Sequence, residues 1–217
     1  MKEYHKIQTM FKREENKPCR IIEGAWTTPE LEYLKDNQWE FTEKVDGTNI
    51  RVMWDGKEIK HGGKTDNAQL HCDLIRRLDE IFKPKIDTLR EIFPTKDDEL
   101  PQVCFYGEGY GAGIQSGGLY KPTKDFVLFD ILIGVLYLQR KDVEDIASKL
   151  DIDVVPVIGH GTLQQGIDMV KRGLVSKWGN FPAEGIVARP VCELKDRRGK
   201  RIITKIKYRD FIQYRRT

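Results

Sequence analysis

Lys44 lies in the stretch of this chain whose residue types are best suited to covalent chemistry. The stretch covers residues 42–51, TEKVDGTNIR, and lies between two runs of strand-like composition, 39–41 and 50–54. We predict that Lys44 ends a strand, so that a sheet fixes its backbone and its amine can act as a nucleophile. Asn49 follows the Asp-Gly turn and is expected to direct its amide toward the lysine. A surface hairpin with a solvated lysine is the alternative, because short motifs are weak alone.

Three further side chains occupy positions where a nucleotide could bind. Glu108 ends a strand among glycines, where its carboxylate can accept a ribose hydroxyl or be an ordinary loop acid. Phe126 begins a buried strand and can stack on a base, although a lone phenylalanine is more often a core residue. Lys64 lies beside two glycines that let a ligand approach the backbone, although flexible surface loops have the same composition.

An acid and two lysines in the last third of the chain complete the set. Glu184 lies at the entry to a predicted strand. Residues 201–208 alternate as a half-buried strand, which places Lys205 and Lys207 on one face. Two ammonium groups on one face repel each other unless an anion lies between them. A triphosphate would meet that requirement.

Predicted helices and a hairpin must hold these residues in place. Asp55-Gly56 predicts a hairpin between residues 50–54 and 57–61. Thr27 and Glu30 have the spacing of a capping box at the start of a short helix. Recurring apolar residues predict four further helices, which cover 68–82, 86–93, 142–150 and 162–174.

Length and composition favour one cytoplasmic domain. The chain has 217 residues and no linker rich in Pro, Ser and Gly, so we predict a single domain over residues 1–217. No apolar run is long enough to cross a bilayer, and charges occupy the N-terminus, so no membrane partner is expected. The four cysteines include no Cys-x-x-Cys pair, which argues against a zinc knuckle or a disulfide framework.

Positive charge is concentrated near the C-terminal end. Residues 192–217 contain ten Lys or Arg against three acids, within a chain of formal net charge +3. A phosphate-rich partner would require such a segment, although many charge runs are solvated surface. We take the segment as an indication of nucleic-acid binding.

In order, these motifs resemble those of the covalent nucleotidyltransferase superfamily, which contains the ATP-dependent ligases and the mRNA-capping guanylyltransferases. They are Lys-x-Asp-Gly-x-Asn from Lys44, the glycine-flanked Glu108, the aromatic Phe126 before Phe-Asp-Ile, Glu-Gly-Ile-Val-x-Arg from Glu184, and Lys-x-Lys from Lys205. The chain is most similar to RNA ligases of the double-strand, nick-sealing type, because Asn49 stands where DNA ligases and capping enzymes usually have Arg. The resemblance spans residues 42–211.

The resemblance implies a role for each residue. Lys44 would be the adenylylated nucleophile, with Lys205 and Lys207 as catalytic phosphate ligands. Lys64 stands where the group commonly has arginine, which keeps the charge but loses the bidentate fork. The other ATP contacts would be Glu43 and Phe126 at the adenine, Asn49 and Glu108 around the ribose and phosphate, and Glu184 as the acid that binds Mg²⁺ or Mn²⁺.

The implied reaction joins the 3′-hydroxyl and 5′-phosphate ends of RNA. It proceeds through a lysyl-AMP intermediate and an adenylylated RNA end, on a nicked duplex or on broken tRNA ends. An amine attacks the α-phosphorus of ATP only when deprotonated, and neighbouring cations favour that form. Two alternatives remain: a DNA nick ligase, and a non-catalytic nucleic-acid-binding module on a decayed ligase scaffold.

The fold that the resemblance implies is α+β, with two antiparallel sheets, flanking helices and an ATP groove between them. Nick-sealing ligases usually carry a further C-terminal domain, whereas this chain ends ten residues beyond Lys207. We therefore expect an adenylyltransferase domain with no C-terminal accessory domain. A homodimer or a partner protein would then replace the missing grip on the duplex.

Overall fold

The computed structural model describes residues 2–95 and 101–212, whose elements are numbered along the chain. Their strands are β1 (Gln8–Thr9), β2 (Phe11–Glu14), β3 (Lys17–Trp26), β4 (Trp39–Glu43), β5 (Thr48–Trp54), β6 (Ile59–Gly62), β7 (Val103–Tyr110), β8 (Asp125–Ile133), β9 (Leu136–Tyr137), β10 (Val157–Gly161), β11 (Gly185–Pro190) and β12 (Thr204–Lys207). Their α-helices are α1 (Pro29–Tyr33), α2 (Cys72–Phe82), α3 (Ile86–Ile92), α4 (Arg140–Leu150) and α5 (Leu163–Arg172). Short 3₁₀ helices cover Lys83–Lys85, Gly117–Leu119 and Tyr208–Asp210.

The chain divides into two compact units. The first consists of Met1–His5 and Asp46–Val155, and the second of Lys6–Val45 and Pro156–Thr217. Each unit has its own five-stranded sheet and its own hydrophobic core. The single domain over residues 1–217 stays a prediction, since two compact units can belong to one domain or to two.

The first unit is an antiparallel sheet with helices packed on one face. Its strand order is β6-β5-β7-β8-β9. Strands β5 and β6 form the hairpin that the Asp-Gly turn predicts, with Trp54 opposite Ile59. Helices α2, α3 and α4 share one core with β5, β7 and β8. Its deeply buried members include Ile50, Leu74, Leu78, Phe82, Leu89, Phe105, Leu128, Ile131, Val143 and Leu150.

Helix α2 begins four residues later than the periodicity predicts, at Cys72 instead of residue 68. His71 has an extended backbone, and its Nδ1 accepts a hydrogen bond from the Asp73 amide at 3.2 Å. This contact caps the helix. Leu70 packs against the core from the preceding loop, so its spacing fits a helix although its backbone is not helical.

The second unit contains a five-stranded sheet in the order β1-β12-β11-β4-β10 and a separate pair, β2-β3. The pairings of the larger sheet are antiparallel except for β1 with β12, which is parallel. The edge strand β1 has two residues, too few to show an alternating pattern. Helix α5 packs on this sheet, and their shared core includes Trp39, Phe41, Leu163, Ile167, Val170, Ile186 and Ile206. The α+β class is confirmed.

Two local predictions in the second unit need correction. Helix α1 is capped by Thr28, whose hydroxyl accepts from the Leu31 amide, whereas the Thr27 hydroxyl donates to the Thr9 carbonyl. Strand β12 is shorter than the predicted 201–208, because the backbone of residues 201 and 202 pairs with residues 195 and 194 instead.

The α-helices are short, and three cysteines carry free thiols. Within the described ranges, no helix is both long and apolar enough to cross a membrane. Cys72, Cys104 and Cys192 are free thiols. Cys104 is buried, and burial raises the pKa of its thiol to about 11, which makes it a poor nucleophile at neutral pH.

Two positions on α2 test how much this helix contributes to the first core. Leu78 is fully buried, whereas Ile75 is 38% exposed. We expect Leu78→Ala to lower the free energy of unfolding by about 2–5 kcal/mol, because it leaves a cavity. Ile75→Ala should cost less than about 1 kcal/mol. Chemical denaturation followed by circular dichroism measures both, and equal losses would contradict the packing described for α2.

Candidate active site

The backbone at Lys44 is fixed by the sheet of the second unit. Lys44 directly follows β4, which lies between β11 and β10. Its amide donates a hydrogen bond to the Gly185 carbonyl at 3.0 Å, and the Glu43 amide donates to the Pro156 carbonyl at 3.1 Å. Lys44 therefore stands at the end of a strand, as predicted.

Glu184 joins Lys44 to Lys207 through a single carboxylate. The Nζ atom of Lys44 lies 2.6 Å from Oε2, and the Nζ atom of Lys207 lies 2.5 Å from Oε1. The side chain of Lys44 is 21% exposed, and those of Glu184 and Lys207 are each 12% exposed. Because these three charged groups are mostly buried, solvent ions screen their attraction only weakly, and the carboxylate holds both ammonium groups. Two cations against one anion leave positive charge for an anionic ligand.

The strand register explains why these three residues meet. Gly185 lies opposite Lys207 across β11 and β12, and Ile186 lies opposite Glu43 across β11 and β4. Glu184, one residue earlier, is therefore flanked by the ends of both neighbouring strands. Its carbonyl accepts a hydrogen bond from the Tyr208 amide at 2.9 Å, which fixes its backbone.

Gly185 fits its position only because it has no side chain. Its φ is +151°, and a Cβ atom there would lie 2.0 Å from the Ile206 carbonyl oxygen. The neighbouring atom belongs to the backbone, so no side-chain rotation can relieve the overlap. Glycine thus permits the close approach of β11 and β12 beside Glu184.

Lys205 and Lys207 share a face of β12, as predicted. Lys205 is half-buried and lies opposite Val187. Thr204 and Ile206 are fully buried at the alternate positions of the strand.

Glu43 has a buried carboxylate oxygen without a partner. The residue is 1% exposed, and its Oε2 accepts a hydrogen bond from the Lys177 amide at 2.8 Å. Its Oε1 has no hydrogen-bond partner among the residues that the structure describes. An unsatisfied buried acceptor costs about 1–3 kcal/mol, and more when charged. Oε1 is therefore suited to receive a donor from a ligand.

In the first unit, Asn49 and Glu108 form a cross-strand pair on β5 and β7. Facing positions in such a pair point to the same side of the sheet. The Oδ1 atom of Asn49 is buried and finds no hydrogen-bond partner within the described ranges. This amide is thus a second acceptor that a ligand could satisfy.

Phe126 lies on the opposite side of that sheet, in the helix-packed core. It is 2% exposed, and its ring packs against Phe82 at 5.8 Å. The alternation along β8 breaks at an extra residue, Phe129, because Tyr106 pairs with Asp130 but Gly107 pairs with Leu128. Such a bulge re-aims the following side chains. The base-stacking role of Phe126 stays a prediction, and this placement argues against it.

Phe129 is the aromatic residue that the sequence interpretation missed. It is half-buried and packs with Cys104, Tyr106 and Leu132, which belong to the same side of the sheet as Asn49. The only sequence signal is its place in the Phe-Asp-Ile motif, since a bulge leaves no mark in the hydrophobic pattern.

Tyr4 covers part of this side of the sheet. Its hydroxyl donates to the Asp130 carboxylate, and its ring lies 4.9 Å from that of Tyr106 and 5.0 Å from that of Phe129. No pattern in the first residues of the sequence signals this contact.

Lys64 is exposed on the loop after β6, and a second missed residue, Arg51, holds that loop. Arg51 is fully buried; its Nε donates to the Gly63 carbonyl at 2.6 Å, and its guanidinium pairs with Asp66 at 2.9 Å. An arginine inside a strand-like run gives no sign of this contact.

Comparison with known protein families shows which family contains this chain. The family model described as RNA ligase matches residues 37–207. The chain belongs to the RNA ligase family. The matched range contains all the site residues predicted above. A search of curated proteins finds no match.

Solved structures of Naegleria gruberi RNA ligase have a similar fold. The structure with PPi has 20% identity and a TM-score of 0.66, and the match covers 95% of this chain and 57% of that one. A mutant with ATP and Mn has 19% identity and a TM-score of 0.64, with coverages of 84% and 54%. A mutant with AMP and Mn has 18% identity and a TM-score of 0.66, with coverages of 95% and 57%. This chain thus spans little more than half the length of these structures.

In this member of the RNA ligase family, the predicted site residues divide between the two units. The second unit brings together Lys44, Glu184 and Lys207 and also carries Glu43 and Lys205. The first unit carries Asn49, Lys64, Glu108 and Phe126. Their roles toward ATP and metal stay predictions.

The tight fit at position 185 is open to direct measurement. We expect Gly185→Ala to lower the free energy of unfolding by more than about 2 kcal/mol, because β11 and β12 must separate. The control is Gly173→Ala, where φ is also positive but no atom lies within 4 Å of the added Cβ. It should cost only backbone strain, about 1 kcal/mol. Thermal unfolding compares the two, and equal effects would show that the contact with Ile206 is unimportant.

Proposed function

We propose that this chain is the adenylyltransferase part of an ATP-dependent RNA ligase that joins 3′-hydroxyl and 5′-phosphate ends. The observation that carries the proposal is the shared carboxylate of Glu184 between Lys44 and Lys207, in a chain of the RNA ligase family. A strand-end lysine beside a second cation is what nucleotidyl transfer to an amine requires.

The unpartnered oxygen of Glu43 and the two lysines of β12 are suited to bind ATP. The Oε1 atom of Glu43 can accept a hydrogen bond from an adenine amine, a donor that guanine lacks at that position. Lys205 and Lys207 share a face of β12 and can neutralise phosphate oxygens. The solved Naegleria gruberi structures with ATP and Mn, AMP and Mn, or PPi support the same ligand class.

Glu184 would hold a divalent cation such as Mg²⁺ or Mn²⁺, since carboxylate oxygens are the ligands that these ions prefer. When bound, the ion neutralises charge on the phosphate oxygens during transfer. In this structure, Oε2 of that carboxylate contacts Lys44 and Oε1 contacts Lys207.

The first transfer forms a bond between Lys44 Nζ and the α-phosphorus of ATP and breaks the bond to pyrophosphate. The proton of Nζ must leave before attack, and Glu184 Oε2, 2.6 Å away, is positioned to accept it. Lys207 faces the charge that develops on the phosphate oxygens.

Two transfers then consume the adduct. The 5′-phosphate of an RNA end attacks the same phosphorus, the bond to Lys44 breaks, and the amine regains a proton. A 3′-hydroxyl next attacks the 5′-phosphate, forming the phosphodiester while AMP leaves.

A DNA nick ligase and a non-catalytic binding module are the competing functions. The intact contacts among Lys44, Glu184 and Lys207 argue against a decayed module. A cytoplasmic location, and a homodimer or partner protein that completes the grip on RNA, stay predictions from the sequence.

The proposal predicts a covalent protein-AMP adduct on Lys44. Incubation with labelled ATP and Mg²⁺, followed by a denaturing gel, should show an acid-labile band that Lys44→Ala and Lys44→Arg abolish. Lys149→Ala, which changes an exposed lysine on α4, is the matched control and should keep the band. Label that persists in Lys44→Ala would mean that the nucleophile is another residue. Sealing of nicked DNA as fast as nicked RNA would favour the DNA ligase.

The two phenylalanines of β8 make distinct predictions about adenine binding. Because Phe129 lies on the side of Asn49 and Phe126 in the core, Phe129→Leu should raise the ATP concentration for half-maximal adduct formation about fivefold or more. Phe126→Leu should leave it nearly unchanged while lowering the free energy of unfolding. ATP should label better than GTP. The opposite ranking would restore Phe126 as the stacking residue.

A further inference from the structure

Residues 193–202, here called the basic hairpin, form an ordered projection from the sheet of the second unit. Lys195 pairs with Arg201 in an antiparallel bridge, and the Ile202 amide donates to the Leu194 carbonyl at 2.9 Å. The hairpin connects β11 to β12. The sequence interpretation identified this region as part of the charged run 192–217, and the structure adds the backbone contacts between its two arms.

The turn of the basic hairpin is held by Asp196. Its Oδ1 accepts hydrogen bonds from the amides of Arg198 and Lys200, each at 2.8 Å. The Asp196 amide in turn donates to the Lys200 carbonyl at 2.8 Å. Gly199 completes the turn with a φ of +77°. These contacts fix the backbone of the turn although it is exposed.

At the base of the basic hairpin, Arg201 is buried in an ion pair and is not available at the surface. Arg201 is 8% exposed and forms a bidentate ion pair with Glu193, with bonds of 2.5 and 2.9 Å. That pair neutralises both residues and anchors the strands of the hairpin.

Four cations remain exposed on the basic hairpin: Lys195, Arg197, Arg198 and Lys200. Among the described residues, no carboxylate forms an ion pair with any of them. Asp196 is the one acid between them, and its carboxylate is turned toward backbone amides. Cations that form no ion pair within the described part of the chain are available to an anionic surface.

We propose that the basic hairpin binds the phosphate backbone of the RNA that is being joined. This inference rests on the function proposed above and adds the surface that grips the substrate. Phosphates recur about every 3.4 Å along a paired strand, so closely spaced cations can each neutralise one. Lys200 lies seven residues before Lys207, at most about 25 Å along the chain, which corresponds to about seven nucleotides.

The first test removes charge from the turn. The triple variant Arg197→Gln, Arg198→Gln, Lys200→Gln should bind a nicked RNA duplex more weakly. Its slope of log affinity against log salt should be shallower by about 2–3, since each phosphate contact contributes about 0.7–0.9. The control changes three exposed lysines of the same unit, Lys12→Gln, Lys17→Gln and Lys35→Gln, and so has the same net charge. An equal slope change in both triple variants would overturn the proposal.

The second test separates an ordered surface from charge alone. Asp196→Ala removes a negative charge but also the two hydrogen bonds that shape the turn. An ordered binding surface predicts severalfold weaker RNA binding, whereas attraction by charge alone predicts tighter binding. Tighter binding by Asp196→Ala would show that the structure of the turn is irrelevant.

Adduct formation distinguishes this proposal from the function on which it rests. Each hairpin variant should form the Lys44 adduct at the wild-type rate while joining RNA more slowly. Absence of the adduct from the wild-type protein would reject the ligase function itself. Normal RNA binding by the triple variant, with loss of binding to polyglutamate, would make the hairpin a protein-binding surface and reject the inference.

Discussion

The sharing of one carboxylate by two lysines is the interaction on which the second unit depends. Lys44 and Lys207 end two different strands, and neither would be held near the other without Glu184 between them. Two ammonium groups this poorly exposed to water repel strongly when no anion separates them. The sheet places the acid there through register alone, so β4, β11 and β12 must keep their alignment for the site to exist.

The glycine beside this acid shows how backbone geometry limits the chemistry. Gly185 lets β11 approach β12 so closely that the carbonyl of Ile206 occupies the space of a Cβ atom. A wider spacing would lengthen the contact between Glu184 and Lys207. The Glu-Gly pair in the sequence therefore has a steric cause. Glu184 supplies the charge, and Gly185, which has no side chain, permits the close approach of the strands.

Much of this arrangement can be predicted from the sequence, because strand ends and alternation are local signals. Lys44 at the end of β4 and the shared face of Lys205 and Lys207 follow from period-two patterns. Arg51 could not be found this way, since its buried guanidinium bonds to a loop beyond the next strand. The basic hairpin was hidden for a related reason: hydrogen bonds from Asp196 to the backbone order its turn without any apolar residue.

The extra residue in β8 also determines the side of the sheet on which the later side chains of that strand lie. Phe129 interrupts the alternation, so Asp130 and Leu132 lie on the side opposite the helices, while Ile131 lies in the core. If Phe129 were instead paired like an ordinary strand residue, each later residue of β8 would turn to the other side of the sheet. A carboxylate would then enter the helix-packed core, and an isoleucine would take its place beside Tyr4. In this sheet, the number of residues between two paired positions decides which side of the sheet a side chain occupies, as strictly as residue type does.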